Sequence, residues 1–110
     1  MSRKLTIRSR ATQDLRQQAN YILSNGSVSA AENFLELAEA TFAQILIVPR
    51  IGKSVDFVSD RMGEIRQWRI KNFQDYLVFY RVQDEQIEIL RVLHGSRDLE
   101  GILSILDEEI

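Results

Sequence analysis

Three short β-type segments set close together in the second half of the chain restrict its architecture more than any other feature. Ile65 to Ile70, Tyr76 to Val82 and Ile87 to Leu93 are rich in β-branched and aromatic residues. The links between them, Lys71 to Asp75 and Gln83 to Gln86, are of hairpin length. Strands joined so tightly run antiparallel, and this half is predicted to form a meander.

A sheet of this kind needs an apolar cover, and the first half of the chain supplies it. Lys4 to Arg8 alternates polar and apolar residues, as a half-buried strand does. Ser9 is then placed as an N-cap for a helix with Ala11, Leu15, Ala19 and Ile22 at helical spacing, which Asn25-Gly26 stops. Ser29 with Glu32 reads as a capping box for a second helix. Its stripe runs through Ala31, Phe34, Leu35, Ala38, Phe42, Ile45 and Leu46 until Pro49 ends it. Phe34, Leu35, Phe42 and Leu46 are expected to face the sheet, whereas Tyr21, Leu37 and Ile47 fall off the stripes and are expected on the surface. The short link makes the two helices an antiparallel hairpin. Residues 50 to 64 read as a loop. Leu99, Ile102, Leu103 and Leu106 suggest a last helix beginning near Ser96 or Asp98, with Ile105 and Ile110 off its inward side. The predicted fold is α+β, in the order β-α-α-β-β-β-α, with the helix hairpin packed on a small, mainly antiparallel sheet. Residues 1–110 are expected to form one domain.

Composition removes several functional classes. There is no cysteine, and His94 has no companion histidine, so no disulfide or metal site is expected. No phosphate-cradling glycine loop or nucleophile motif is present, and no cofactor is expected. The longest apolar run, Ile45 to Val48, is too short to span a bilayer, and the basic N-terminus lacks the apolar stretch of a signal peptide. A cytoplasmic protein without a membrane partner is expected. The formal net charge is −2, but charge is segregated. Arg3, Lys4, Arg8, Arg10 and Arg16 oppose only Asp14, further cations including Arg61 occupy the middle, and Asp107, Glu108 and Glu109 close the chain. A local basic face and a mixed solvated surface both fit.

The stretch most suggestive of chemistry is Leu90 to Asp98, where a strand meets a glycine, a polar turn and a helix start. Arg97 could bind an anion beside the titratable His94. Equally, Arg97 could pair with Asp98 while Ser96 or Asp98 caps the helix. Trp68, Phe73, Tyr76, Phe79 and Tyr80 could stack on bases, but strand alternation places many of them in the core. Arg66 and Arg69 fall on opposite faces of their strand. Arg81 and Arg91, in neighbouring strands, either line a groove or are scattered surface charge.

Three stretches in order resemble the ParE/RelE superfamily of toxins, and resemble its ParE branch more closely. Pro49-Arg50-Ile51-Gly52-Lys53 is similar to the proline–glycine–basic signature after the long helix. Tyr76 to Val82 resembles the third strand, and Ile89 to Asp98, ending His-Gly-Ser-Arg-Asp, resembles the closing motif. Ala11, Asp14, Leu15 and Tyr21-Ile22 fit the first helix. The resemblance implies a plasmid-stabilising toxin neutralised by a cognate antitoxin that joins a DNA-binding domain to a flexible segment. ParE-like members inhibit DNA gyrase by binding; RelE-like members cut messenger RNA in the ribosome. A RelE-like site here would use Arg97, His94, Arg66, Arg69 and Arg81. However, Leu77 stands where RelE-like toxins place a strand arginine, and no tyrosine follows Tyr80. The resemblance thus implies a gyrase inhibitor with no catalytic residues, the alternatives being the ribonuclease or a non-toxic antitoxin-binding remnant. Arg10, Arg16, Leu37, Ile47, Arg81 and Arg91 are expected to meet the antitoxin, and His94, Arg97 and Ile105 the target. Pairing with a second copy stays open.

Overall fold

A computed structural model describes residues 3–56 and 62–106. Arg61, Ile110 and the acidic residues 107–109 lie outside that range. The strands are β1 Lys4–Ile7, β2 Lys53–Ser54, β3 Glu64–Ile70, β4 Phe73–Val82 and β5 Gln86–His94; the helices are α1 Ser9–Asn25, α2 Val28–Ile47 and α3 Leu99–Leu103. They form one sheet in the order β1-β5-β4-β3-β2. The meander β3-β4-β5 is antiparallel as predicted, and β1 joins β5 in parallel. The α+β fold with a helix hairpin and a short C-terminal helix is therefore the one expected.

Local differences have local causes. Ser9 is not a cap. The Arg8 amide still donates to the Ile89 carbonyl of β5, so strand passes straight into helix, and extended Arg8 is the N-cap without a side-chain bond. The second helix starts earlier than Ser29: Ser27 is the N-cap, its hydroxyl accepting from the Ala30 amide at 3.1 Å. The β3–β4 link shrinks to Lys71-Asn72, because Asn72 adopts a left-handed φ of 65° that asparagine tolerates well. The region expected as a loop holds a 3-10 turn at Pro49–Ile51 and the two-residue β2.

Both faces of the sheet are buried. Under the hairpin, Ala11, Phe34, Ala38, Phe42 and Ile45 pack on Val78, Tyr80, Ile87, Ile89 and Val92. On the other face Leu103 and Leu106 cover Ile65, Phe79, Leu90 and Leu93 together with Met62. Leu35 was expected in the core but is 39% exposed, because the stripe centres on Ala31, Phe34, Ala38, Phe42 and Ile45. Leu46 is only partly buried at its margin. Leu37, expected on the surface, packs partly against the same core. Tyr21 and Ile47 are exposed as expected, at 63% and 79%.

One buried ion pair fastens the hairpin to the sheet. Asp14 of α1 accepts from Arg91 Nε at 2.8 Å and Nη2 at 3.0 Å, and from the Val92 amide at 2.9 Å. β1 ends opposite Ile89, so β5 continues past its neighbour with an outward amide, which Asp14 satisfies. Arg91 is thus 2% exposed, and its expected place on an antitoxin surface is withdrawn. Replacing Asp14 by Ala strands a buried guanidinium and a strand amide, and should cost ~3–5 kcal/mol in chemical denaturation. Phe42→Ala should cost ~3–5 kcal/mol through a cavity instead. An unchanged denaturation midpoint for either variant would contradict its burial.

Candidate functional site

The segment after α2 is held by one phenol. Tyr80, fully buried in β4, donates to the Pro49 carbonyl at 2.6 Å and accepts from the Gly52 amide at 3.0 Å. Burial pushes its pKa up, partly offset by the Gly52 bond and the nearby Arg66 charge. A Cβ on Gly52 would lie 2.5 Å from the Gln67 carbonyl oxygen and 2.6 Å from the phenol oxygen. This close approach explains the proline–glycine spacing. Gly52→Ala should therefore destabilise more than Tyr80→Phe, whose lost buried partner costs about 1–3 kcal/mol; paired melts of the two variants decide it.

Arg66 extends the same anchor. It donates to the Gly52 carbonyl at 2.6 Å and to Glu64 at 2.7 Å, and Glu64 also receives Arg50 at 2.9 Å. The Arg66 hydrogen bond, followed by that of Arg50, holds the Glu64 carboxyl below its ordinary value despite some desolvation. Because the folded pKa is depressed, the stabilisation is complete above the unfolded carboxylate range and fades as pH falls through the folded value. The stability gap between the native chain and Glu64→Gln should be flat above about pH 5.5 and should close toward pH 3; titrated thermal melts measure it.

Beside this anchor a cavity of about 460 Å³ opens on the α3 face of the sheet, lined by Lys53, Gln67, Arg69, Gln74 and Leu77 among others. Lys53 and Arg69 are exposed cations, and the Arg69 guanidinium carbon lies 5.4 Å from the Trp68 ring centroid. Leu77, paired across the strands with Arg69 and Leu93, makes the apolar part of the wall. Such a groove can hold an anion, but among the described residues none of its lining side chains is a carboxylic acid, phenol or imidazole.

The other predicted residues do not gather there. His94 lies on the opposite, hairpin side, its ring edge-on to Tyr76 at 5.0 Å, with Tyr76 against Phe34. The Ser96 amide donates to His94 Nδ1 at 3.1 Å, so a neutral ring carries its proton on Nε2. Burial foremost, then Tyr21 and Asp75, raises the Tyr76 pKa. Arg97 is exposed, and Asp98 caps α3 by accepting from the Gly101 amide at 3.1 Å; no Arg97–Asp98 ion pair forms among the described residues. Arg81 is not a surface cation awaiting a partner: it donates to Glu88 at 2.8 Å, and Arg8 reaches the same carboxylate at 3.1 Å. Ile105 (41% exposed), Arg10 and Arg16 are on the surface as expected. Trp68 donates to Gln44 at 3.1 Å, Tyr80 and Phe79 are core residues on opposite faces of the sheet, and Phe73 and Tyr76 pack against the hairpin-side core with Tyr80, so packing takes up most of this aromatic group.

Sequence reasoning missed Asp14, Glu64 and Glu88 as the groups that fix these arginines, and Tyr80 as the group that fixes the Pro49–Gly52 segment. Two signals were available: a carboxylate on the buried stripe of the first helix, and a lone arginine flanked by the apolar residues Ile89-Leu90 and Val92-Leu93.

The model of the ParE toxin of the parDE type II toxin–antitoxin system matches residues 5–99. Among solved structures, a chain of the chromosomal ParDE toxin–antitoxin system from P. aeruginosa superposes with a TM-score of 0.69 at 17% identity, over 84% of this chain and 96% of that one. A free-state double-arginine mutant of the E. coli toxin RelE gives 0.63 at 16% identity, over 97% and 98%. At such identities the likeness concerns the fold. The comparison with curated proteins gives no match. With the family model covering most of its length, the chain belongs to the ParE toxin family of type II toxin–antitoxin systems.

Proposed function

We propose that residues 1–110 form one ParE-like toxin domain that inhibits DNA gyrase by binding it, and that a cognate antitoxin with a DNA-binding domain neutralises it. Plasmid stabilisation, in the cytoplasm, is the role such a toxin would serve. The dispersal of the cations carries this reading. Cutting RNA without metal requires a base, an acid and a cation for the charged phosphorane within hydrogen-bond reach of one phosphate. Here Arg66 and Arg81 are bound to carboxylates, Arg91 is buried, and Arg69 and His94 lie on opposite faces of the sheet. Leu77 occupies the strand position where RelE-like enzymes carry an arginine.

The surface that suits a target is the turn from β5 into α3, with His94, exposed Arg97 and, just past α3, exposed Ile105. An arginine fork beside an apolar anchor is a common composition for the centre of a protein interface.

Purified toxin should inhibit gyrase supercoiling. The Arg97→Ala/Ile105→Asp double variant, with unchanged circular dichroism, should lose potency at least about tenfold, equivalent to ~1.4 kcal/mol of binding. Codon-phased cuts in ribosome-bound messenger RNA that vanish with Arg97→Ala would replace this reading by the ribonuclease. Growth without inhibition, with antitoxin binding intact, would instead identify a remnant that has lost its target.

A further inference from the structure

Beyond the two residues of β2, the outer edge of β3 has no strand beside it among the described residues. β2 reaches only as far as Lys53, opposite Gln67. The Val55 amide donates to the Ile65 carbonyl at 3.0 Å, which shows that the main chain of Ile65 faces β2. Main-chain polarity repeats at every second residue along a strand edge, so Gln67 and Arg69 face the same way. Arg69 lies past the end of β2 and therefore turns its amide and carbonyl outward. The turn after β3 is tied back to α2, because the Lys71 amide donates to Thr41 Oγ1 at 3.3 Å.

Two cavities meet at this edge. The groove of about 460 Å³ and a neighbour of about 300 Å³ toward the end of α2 share Trp68, Arg69 and Gln74 as lining. Lys53 stands in the first, Lys71 in the second and Arg69 in both, and neither lining holds a carboxylate among the described residues. None of the three cations has a carboxylate partner there either. From Gln67 to Lys71 the chain advances roughly 13 Å, the reach of about four extended residues. Both walls are set before a partner arrives. Tyr80 and Arg66 fix the Pro49–Gly52 segment, and Trp68, bonded to Gln44, carries the Arg69 guanidinium over its ring. The groove is also continuous with the turn assigned above to the target. Leu77 lines it, pairs with Leu93 of β5, and lies 3.8 Å from where a Cβ on Gly95 would stand, two residues before Arg97.

We propose that the β3 edge and its groove hold an extended acidic segment of the toxin's target, so that the target surface runs from Arg97 across Leu77 to Lys53. The main chain of Arg69 pairs with the segment, Lys53, Arg69 and Lys71 take its carboxylates, and Leu77 meets an apolar side chain between them. A preformed groove loses little freedom on binding, which favours such a contact. A DNA backbone would meet the same cations but has no donor for the Arg69 carbonyl, whereas a peptide amide has one. The exposed acids Glu32, Glu36 and Glu39 of a second copy stand on a helix, whose main chain is already bonded. The inference rests on the gyrase reading above and adds where, and through what chemistry, the target is held.

The test uses the whole toxin and purified gyrase. Lys53→Glu/Arg69→Glu, with unchanged circular dichroism, should lose at least about tenfold in inhibition of supercoiling. Its association with DNA-free gyrase should slow about tenfold at low salt and lose its salt dependence. A water-soluble carbodiimide should join the Lys53 amine to an aspartate or glutamate of gyrase, a product that Lys53→Arg cannot form. Native potency in the charge-reversed variant overturns the groove assignment and leaves the gyrase reading standing, whether or not antitoxin capture suffers. Slowing seen only with DNA-bound gyrase gives the groove to nucleic acid and overturns the proposal. A free toxin that sediments as a dimer, and as a monomer after charge reversal, gives it to a second copy with the same result. If the native toxin does not inhibit gyrase, both readings fall.

Discussion

The contact between Asp14 and Arg91 determines how the helix hairpin sits on the sheet. β5 is the second strand from the edge, but β1 covers only its first half, from Gln86 to Ile89. Beyond Ile89 a strand of almost wholly buried residues would present polar backbone to the underside of a helix. Asp14 resolves this by binding one strand amide and one strand guanidinium together. A register slip of β5 by one residue would move Arg91 to the other face and strand all three groups. The pair is thus better understood as fixing register than as adding net stability, since burying two charges costs much of what their attraction returns.

With the register fixed, the second face can carry its own core, and this sets the character of the candidate groove. Phe79, Leu90 and Leu93 lie beneath Leu103 and Leu106, so the α3 side of the sheet is already closed over β5 and part of β4. The open part is the outer half, where β3 and β2 lie beyond α3. Tyr80 and Arg66 keep the Pro49–Gly52 segment down against that half. The groove is consequently bordered by a segment locked from below, with the cations Lys53 and Arg69 exposed along it.

Element types and their order were legible because hydrophobic periodicity and link length determine them almost alone. Cap positions were not. Ser9 failed as a cap because a tertiary bond from Arg8 to β5 took the turn away, and Ser29 failed because Ser27 offered the same chemistry one half-turn sooner. The roles of the arginines were the least legible part of the site. Alternation told that Arg66 and Arg69 would separate, and they do. It could not tell which arginines had carboxylate partners, because those partners lie on other elements: Asp14 of α1 for Arg91, and Glu88 of β5 shared by Arg8 and Arg81. The strand β2 escaped because two residues carry no period.

These pairings explain why a net charge of −2 is a poor guide to what this surface attracts. Arg8, Arg50, Arg66, Arg81 and Arg91 are each joined to a carboxylate, and three of the acids involved, Asp14, Glu64 and Glu88, are thereby removed from the exposed balance. Apart from these, the exposed cations fall into separate zones: Lys4, Arg10 and Arg16 along and beside β1, Lys53, Arg69 and Lys71 around the outer strands, and Arg97 after β5. A charge more than one Debye length away, about 8 Å at physiological salt, is largely screened, so each zone presents its own sign to a partner. Exposed Glu32, Glu36 and Glu39 on the outer side of α2 lower the total from a distance, whereas exposed Asp84 and Glu85 beside β1 and Asp98 next to Arg97 temper the first and last zones. A protein built this way can repel a polyanion at long range and still hold acidic side chains at short range, which suits recognition of folded or extended protein partners better than capture of a nucleic-acid backbone.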